Sequence, residues 1–177
     1  MADKVDPELA AIEVADVGGK KVRLGDLWNG QTAVLVWLRH FGRVACREQA
    51  AVLQPHLKDL KKDGVEVAFI GSGAPRYASA FRDEFKLKDA LVLSDEPLAS
   101  YKRAGFRHGA LSTFSPRAML HYARALAAGF RQGKTQGDPL QQGGVMVVDG
   151  EGNVTYRYAS KTGGDHPPVD KILAATR

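Results

Sequence analysis

His40-Phe41-Gly42-Arg43-Val44-Ala45-Cys46-Arg47-Glu48-Gln49 separates two apolar patterns of different period. Before it stands Ala33-Val34-Leu35-Val36-Trp37-Leu38, an apolar run rich in β-branched residues and without alternation. Such a run predicts a strand buried on both faces. After it, Cys46, Ala50, Leu53, Leu57 and Leu60 recur at spacings of four and three, which is one face of a helix. The only cysteine of the chain therefore stands where a buried strand hands over to a helix.

That position has chemical consequences. A helix N-terminus carries unpaired N–H groups and a partial positive charge, and both favour a thiolate. The helix end contributes only about 0.3–1 kcal/mol. A guanidinium at roughly 4 Å adds about 4 kcal/mol, before desolvation, at an effective dielectric near 20. Arg43 and Arg47 flank the cysteine and His40 is close in the chain. Cys46 is thus the candidate catalytic thiolate, with Arg43 and Arg47 as cations that stabilise it and orient a polar or anionic substrate. The competing reading is a small core hydrophobe, because Cys46 belongs to the apolar spacing itself.

Outward from this stretch, Pro55 predicts a kink within a helix that runs to about Lys62, and Asp63-Gly64 ends it. Val65-Glu66-Val67-Ala68-Phe69-Ile70 reads as the next strand. A strand–helix–strand unit implies parallel strands with a right-handed crossover. Gly71-Ser72-Gly73 reads as a plain turn, since a dinucleotide fingerprint needs a third glycine and a later acidic residue. Pro75 starts a helix carrying Tyr77, Phe81 and Phe85, and Ala90-Leu91-Val92-Leu93 is a further strand. Upstream, Ile12–Ala15 and Lys21–Leu24 flank Gly18-Gly19 as a β-hairpin, and Leu27 and Trp28 cover one end of the core.

Residues 98–142 read as an insertion. Within it, Ser115-Pro116 predicts a helix start. Met119, Tyr122, Ala123, Leu126 and Phe130 supply its apolar face. Arg117, Arg124 and Arg131 make a cationic stripe beside His121, either a solvated face or a patch for an acidic ligand or membrane surface. The apolar face requires cover, as a lid on this domain or by a second copy in a homodimer. Gly129, Gly133 and Gly137 predict a polar, mobile loop. Val145–Val148 and Val154–Tyr158 flank a second hairpin turn, and a last helix after Pro167-Pro168 turns Val169, Ile172 and Leu173 inward.

With 177 residues, 44% hydrophobic and 25% charged, the expectation is one globular domain over 1–177, with residues 1–10 as a tail. The net charge of +5 and pI of about 9.4 suit anionic ligands. No RNA-binding pattern accompanies that charge, so no nucleic acid is expected. No apolar run is long enough for a membrane span, and the first residues lack the apolar centre of a signal peptide. One cysteine excludes an intrachain disulfide and a multi-cysteine zinc site, so no metal is expected and a cytoplasmic location is.

The order of elements resembles the thioredoxin layout with a peroxiredoxin elaboration. Val36-Trp37-Leu38-Arg39-His40-Phe41-Gly42 followed by Cys46-Arg47-Glu48-Gln49 resembles a peroxiredoxin-like branch of the alkyl hydroperoxide reductase/thiol-specific antioxidant superfamily. So do Gly137-Asp138-Pro139-Leu140-Gln141-Gln142-Gly143-Gly144 and Gly164-Asp165-His166-Pro167-Pro168, and the likeness spans about residues 10–175. It implies an α/β thioredoxin-like fold: a central mixed sheet flanked by helices, with a peroxiredoxin-type insertion and an N-terminal hairpin. It implies a thiol-dependent oxidoreductase acting through Cys46 on a peroxide or disulfide. It implies no cofactor, and an external thiol or redoxin as reductant.

The chain also departs from the pattern. Arg43 stands where the branch often has the first cysteine of Cys-x-x-Cys. In the peroxiredoxin pattern Pro-x-x-x-Thr-x-x-Cys, Arg39 and Arg43 take the proline and threonine places. Gly143-Gly144 occupy the place of the thioredoxin cis-proline and are expected to leave backbone groups open to substrate. The topology puts the loop carrying His166 at the same end as Cys46. There His166 serves as base or hydrogen-bond partner, or else His166 or Asp165 caps the last helix. These losses also fit a rival class, a redox-inactive thioredoxin-fold binding module.

Overall fold

The computed structural model describes residues 3–109, 115–131 and 133–177. Its strands are β1 (Asp3–Lys4), β2 (Glu13–Ala15), β3 (Lys21–Arg23), β4 (Ala33–Trp37), β5 (Glu66–Gly71), β6 (Leu91–Ser94), β7 (Gly144–Val148) and β8 (Asn153–Ala159). They form one sheet in the order β1-β8-β7-β4-β5-β6-β2-β3. The pairs β4–β5 and β5–β6 are parallel, and β7 and β8 run antiparallel beside β4. The sheet is therefore mixed, as expected, with the N-terminal hairpin β2–β3 at one edge. The first ten residues, expected as a tail, instead contain β1, paired with β8, and a one-turn helix α1 (Pro7–Ala10) whose Leu9 is buried.

The central strands β4 and β7 are apolar throughout, and β5 is so after Glu66, because both faces are covered. Val34, Val36, Val67, Phe69, Val145 and Val147 pack into one cluster with helix residues Cys46, Ala50, Leu53, Leu57 and Ile172. The alternate residues Leu35, Trp37, Ile70, Met146 and Val148 pack into a second cluster with Leu9, Leu24, Trp28, Tyr101 and Phe106. Burying a large apolar side chain contributes about 1.5–3 kcal/mol, so both faces hold β4 in place.

Helix α2 (Val44–Leu53) leads through a 3-10 turn (Gln54–His56) into α3 (Leu57–Lys62), with Pro55 at the break. Gly64, at φ +76°, takes the left-handed position that ends α3. The others are α4 (Pro75–Glu84), α5 (Ala99–Arg103), α6 (Pro116–Ala127) and α7 (Val169–Ala175). Ser115 caps α6, its Oγ accepting the Ala118 N–H at 3.2 Å.

Two expectations for the insertion are corrected. The buried side of α6 is formed by Ala118 and Ala125, while Met119 and Leu126 are exposed. The loop of Gly129, Gly133 and Gly137, expected to be mobile, is fastened from Gly133 onward to the turn before α2 and to the turn after β5. Gly133 N–H reaches Gly42 O at 2.8 Å and Asp138 N–H reaches Ser72 Oγ at 2.9 Å. The approach is so close that a Cβ on Gly42 would lie 1.8 Å from Lys134 O. Residues 110–114 and 132 of the insertion lie outside the described residues.

Candidate active site around Cys46

The turn from β4 into α2 presents Cys46 as the third residue of the helix. Its side chain is buried, and Sγ accepts the backbone N–H of Arg39 at 3.2 Å. Cys46 lines a cavity of about 20 Å³ together with Arg39, Gly143, Thr162, Gly164 and His166. A space of that size holds about one water-sized group.

Arg39 lines this cavity, and the Arg43 guanidinium lies beside it against Gly163. Arg39 is buried, and donates from Nε to Gln141 O at 2.9 Å and from Nη2 to Pro139 O at 2.6 Å. Burial, with Arg43 second, pushes its pKa down to about 10, while negative charge on Cys46 acts the other way. Arg39 thus remains a cation at neutral pH. Burial also lowers Arg43, and negative charge on Cys46 again opposes it. Both groups converge on Gly163, where a Cβ would lie 2.3 Å from Arg43 Nη2 and 2.7 Å from Arg39 Nη1.

Arg47 is not brought into this group. Its Nη1 donates to Glu84 Oε2 at 3.0 Å, its Nη2 pairs with Oε1, and its guanidinium lies 5.1 Å from the centroid of Phe85. One residue beyond Cys46 on a helix is about 100° around the axis, so Arg47 faces α4.

Gly143 and Gly144 are glycine for reasons of space. A Cβ on Gly143 would lie 1.9 Å from Trp37 O. Gly143, with a backbone expected to be open, lines the cavity, and Gly144 begins β7. Gly143 O accepts Ser160 N–H at 3.0 Å, and Gly144 pairs with Trp37 and Ala159.

His166 reaches the cavity, and its Nε2 lies 3.4 Å from Glu48 Oε2, the oxygen that also accepts Arg124 Nη2 at 3.3 Å. Neither His166 nor Asp165 caps α7, whose N-cap is Pro168 with no side-chain cap bond. Asp165 instead ties its own loop. It accepts Tyr158 O–H at 2.5 Å and Lys161 N–H at 2.9 Å, and its backbone oxygen accepts Ser160 Oγ at 2.5 Å.

Two buried polar side chains support the turn. Burial, then Arg43 and Arg39, push His40 down to about 4. It stays neutral, and its Nδ1 accepts Gln136 N–H at 3.5 Å. The Tyr101 hydroxyl lies 2.5 Å from Leu38 O and 2.9 Å from Ile70 O. Burial first, and then the charge of Cys46, raise it well above its ordinary value. Among the described residues, no group of three or more histidine, cysteine or acidic side chains is gathered to hold a metal.

Reading the sequence missed Arg39, Glu48, Tyr101 and Thr162 as parts of this site. Arg39 had a signal: a charged residue continuing a run of buried apolar ones. Thr162 had none, because its place depends on a loop far along the chain.

The profile of the AhpC/TSA antioxidant enzyme family matches residues 52–162. The chain is 33% identical over 183 residues to a chloroplastic thioredoxin-like protein of Arabidopsis thaliana, covering 98% of this chain and 72% of that protein. It is 34% identical over 163 residues to the prostamide/prostaglandin F synthase of Danio rerio, covering 89% of this chain and 80% of the relative. Among solved structures, the peroxidoxin BcpB of Mycobacterium tuberculosis matches with a TM-score of 0.71 at 19% identity, over 99% of this chain and 95% of that one. Peroxiredoxin Q of Xanthomonas campestris matches with a TM-score of 0.69 at 13% identity, over 99% and 96%. At these identities the structural likeness concerns the fold. No helix of the described residues is long and apolar enough to cross a membrane.

Proposed function

This chain belongs to the AhpC/TSA antioxidant enzyme family, and from that premise we propose that it reduces a peroxide through Cys46 alone, with an external thiol as reductant. The supporting observation is the bond from Arg39 N–H to Cys46 Sγ at 3.2 Å, in a cavity faced by a buried arginine. In the proposed step the thiolate attacks the terminal oxygen of the peroxide. An S–O bond forms, the O–O bond breaks, and the departing oxygen carries away the electron pair. His166, oriented by Glu48, gives that oxygen its proton. Arg39 and Arg43 stabilise the negative charge as it moves from sulfur to oxygen.

The product on the protein is a sulfenic acid. No second cysteine exists in the chain to resolve it. An outside thiol, small or carried by a redoxin, attacks the sulfur and releases water. A second thiol then displaces the mixed disulfide and restores Cys46. The cavity of about 20 Å³ suits a peroxide oxygen better than the bulkier disulfide. The cycle needs a reducing compartment, which the cytoplasm provides.

The reading is tested by mixing the protein with hydrogen peroxide in the absence of thiol. The expected result is one equivalent consumed and a dimedone adduct on Cys46, with turnover resuming when thiol is added. Sustained turnover without thiol overturns the one-cysteine cycle. Cys46 reacting no faster than free cysteine overturns the assignment as a peroxide reductase and favours a binding module.

A further inference from the structure

The loop between β8 and α7 carries a hydroxyl that the reaction described above does not use. Thr162 lines the same cavity as Cys46. Its Oγ1 is buried and has no hydrogen-bond partner among the described residues. Folded proteins rarely leave a buried hydroxyl unsatisfied, because its lost hydration is then uncompensated. Arg43 Nε and His121 Nε2 are likewise buried without a partner among the described residues. These residues adjoin the same loop: Gly163 packs on Arg43, and Gly164 packs on His121.

The loop is held firmly enough to place that hydroxyl. Both carboxylate oxygens of Asp165 are engaged, by Tyr158 O–H and Lys161 N–H, and Asp165 N–H reaches back to Thr162 O at 3.3 Å. Gly164, at φ +79°, sits where a Cβ would lie 2.7 Å from His121 Cβ and 3.5 Å from Ala45 Cβ. Anchored from β8 on one side and from α2 and α6 on the other, Thr162 keeps its position before substrate arrives.

We propose that Thr162 Oγ1 is the substrate-binding hydroxyl of this site. It hydrogen-bonds the peroxide and holds the O–O bond in line with Cys46 Sγ. The inference rests on the peroxide-reductase reading and deepens it by naming the substrate class. A hydroxyl both accepts and donates. It takes a hydrogen bond from the O–H of a hydroperoxide, or gives one to the oxygen that gains charge. The small cavity admits the terminal –OH of the peroxide and leaves the rest of an organic hydroperoxide outside. The substrate class is therefore a hydroperoxide with a free O–H, rather than a peroxide substituted at both oxygens.

Two substitutions separate the hydroxyl from its methyl: Thr162→Val keeps the shape and removes the hydroxyl, and Thr162→Ser does the reverse. The measurement is the rate of Cys46 oxidation by hydrogen peroxide and by cumene hydroperoxide, beside alkylation by iodoacetamide, which needs no such hydroxyl. Losing one preorganised donor at a reacting oxygen costs about 100-fold, so Thr162→Val should lose about 10- to 100-fold with both peroxides and under about 2-fold with iodoacetamide. Thr162→Ser should stay within about 3-fold of the parent. If the valine variant does not fold, Thr162→Ala against Thr162→Ser makes the same comparison. Oxidation of the hydroxyl-free variant at the parent rate overturns the inference, as does an equal fall with peroxide and iodoacetamide. A parent protein whose Cys46 is no faster than free cysteine removes the peroxide-reductase reading and this inference together. A fast parent with an unaffected valine variant removes this inference alone.

Discussion

The turn before α2 and the flank of the same helix that faces α4 both carry arginine near Cys46, and the two sets have different partners. In the turn, Arg39 and Arg43 lose hydration, press against Gly163 and share an electrostatic environment with the sulfur. On the flank, Arg47 is spent on Glu84 and the ring of Phe85. Arg47 is the nearest in sequence, one residue from Cys46 against three for Arg43 and seven for Arg39, yet its place on the helix turns it toward α4. A charge acts strongly on a thiolate where water is excluded and weakly where water screens it. The cations that act on the sulfur in the proposed reaction are therefore those the fold desolvates.

That contrast is most directly broken at Arg39. Arg39→Met should slow oxidation of Cys46 by hydrogen peroxide by about 100-fold or more, the scale of a lost charge-stabilising group at a reacting centre. Stopped-flow tryptophan fluorescence measures it, with denaturant melts to show that the variant is folded. A change under about 3-fold would mean that the buried turn does not set the reactivity.

The next effect is on acid stability. His40 sits in the same buried turn with its pKa pushed down to about 4 from 6.5. The unfolded chain takes up a proton first as pH falls, so this contribution is complete above about 6.5 and is lost between 6.5 and 4. The whole span amounts to about 3 kcal/mol. Urea unfolding at neutral pH and near the lower limit should show most of that loss, and His40→Asn should flatten the slope. An unchanged slope in the variant would move the acid sensitivity elsewhere.

Arg43→Ala should slow peroxide oxidation and iodoacetamide alkylation by about 10-fold, through one cation removed from a partly dry site. Rates equal to the parent would leave Arg39 as the sole cation acting on the thiol. The smallest effect belongs to the flank. Arg47→Ala should change either rate by less than about 2-fold and stability by about 0.5 kcal/mol, as expected of a partly exposed ion pair. A fall as large as that of Arg43→Ala would abolish the distinction between the two regions.

Several local features are legible in the chain because neighbours decide them. The run before the turn becomes β4, Pro55 falls at the break between α2 and α3, and Ser115 caps α6. The bulky face of α6 misled for a physical reason. A period of apolar residues marks Met119 and Leu126 as buried, yet the helix meets its neighbours through Ala118 and Ala125. Small side chains permit close approach, and hydrophobicity alone does not measure closeness. The glycines of residues 133–142 misled in the same way. Glycine marks flexibility in a free chain, and it marks tight contact where two backbones meet.

By itself the sequence determined the position of the thiol: a lone cysteine in the first turn of a helix, behind a doubly buried strand, in an α/β layout of the thioredoxin type. Periodicity and helix breakers act over a few residues, so they can be read along the chain. Only the tertiary structure decided which groups face the sulfur. Arg39 is held by Gln141, 102 residues away, and His166 lies by Glu48, 118 residues away. Thr162 reaches the cavity because the loop after β8 closes against α2 and α6. Such contacts depend on strand order and helix phase summed over the whole fold, and desolvation exists only once the fold has closed.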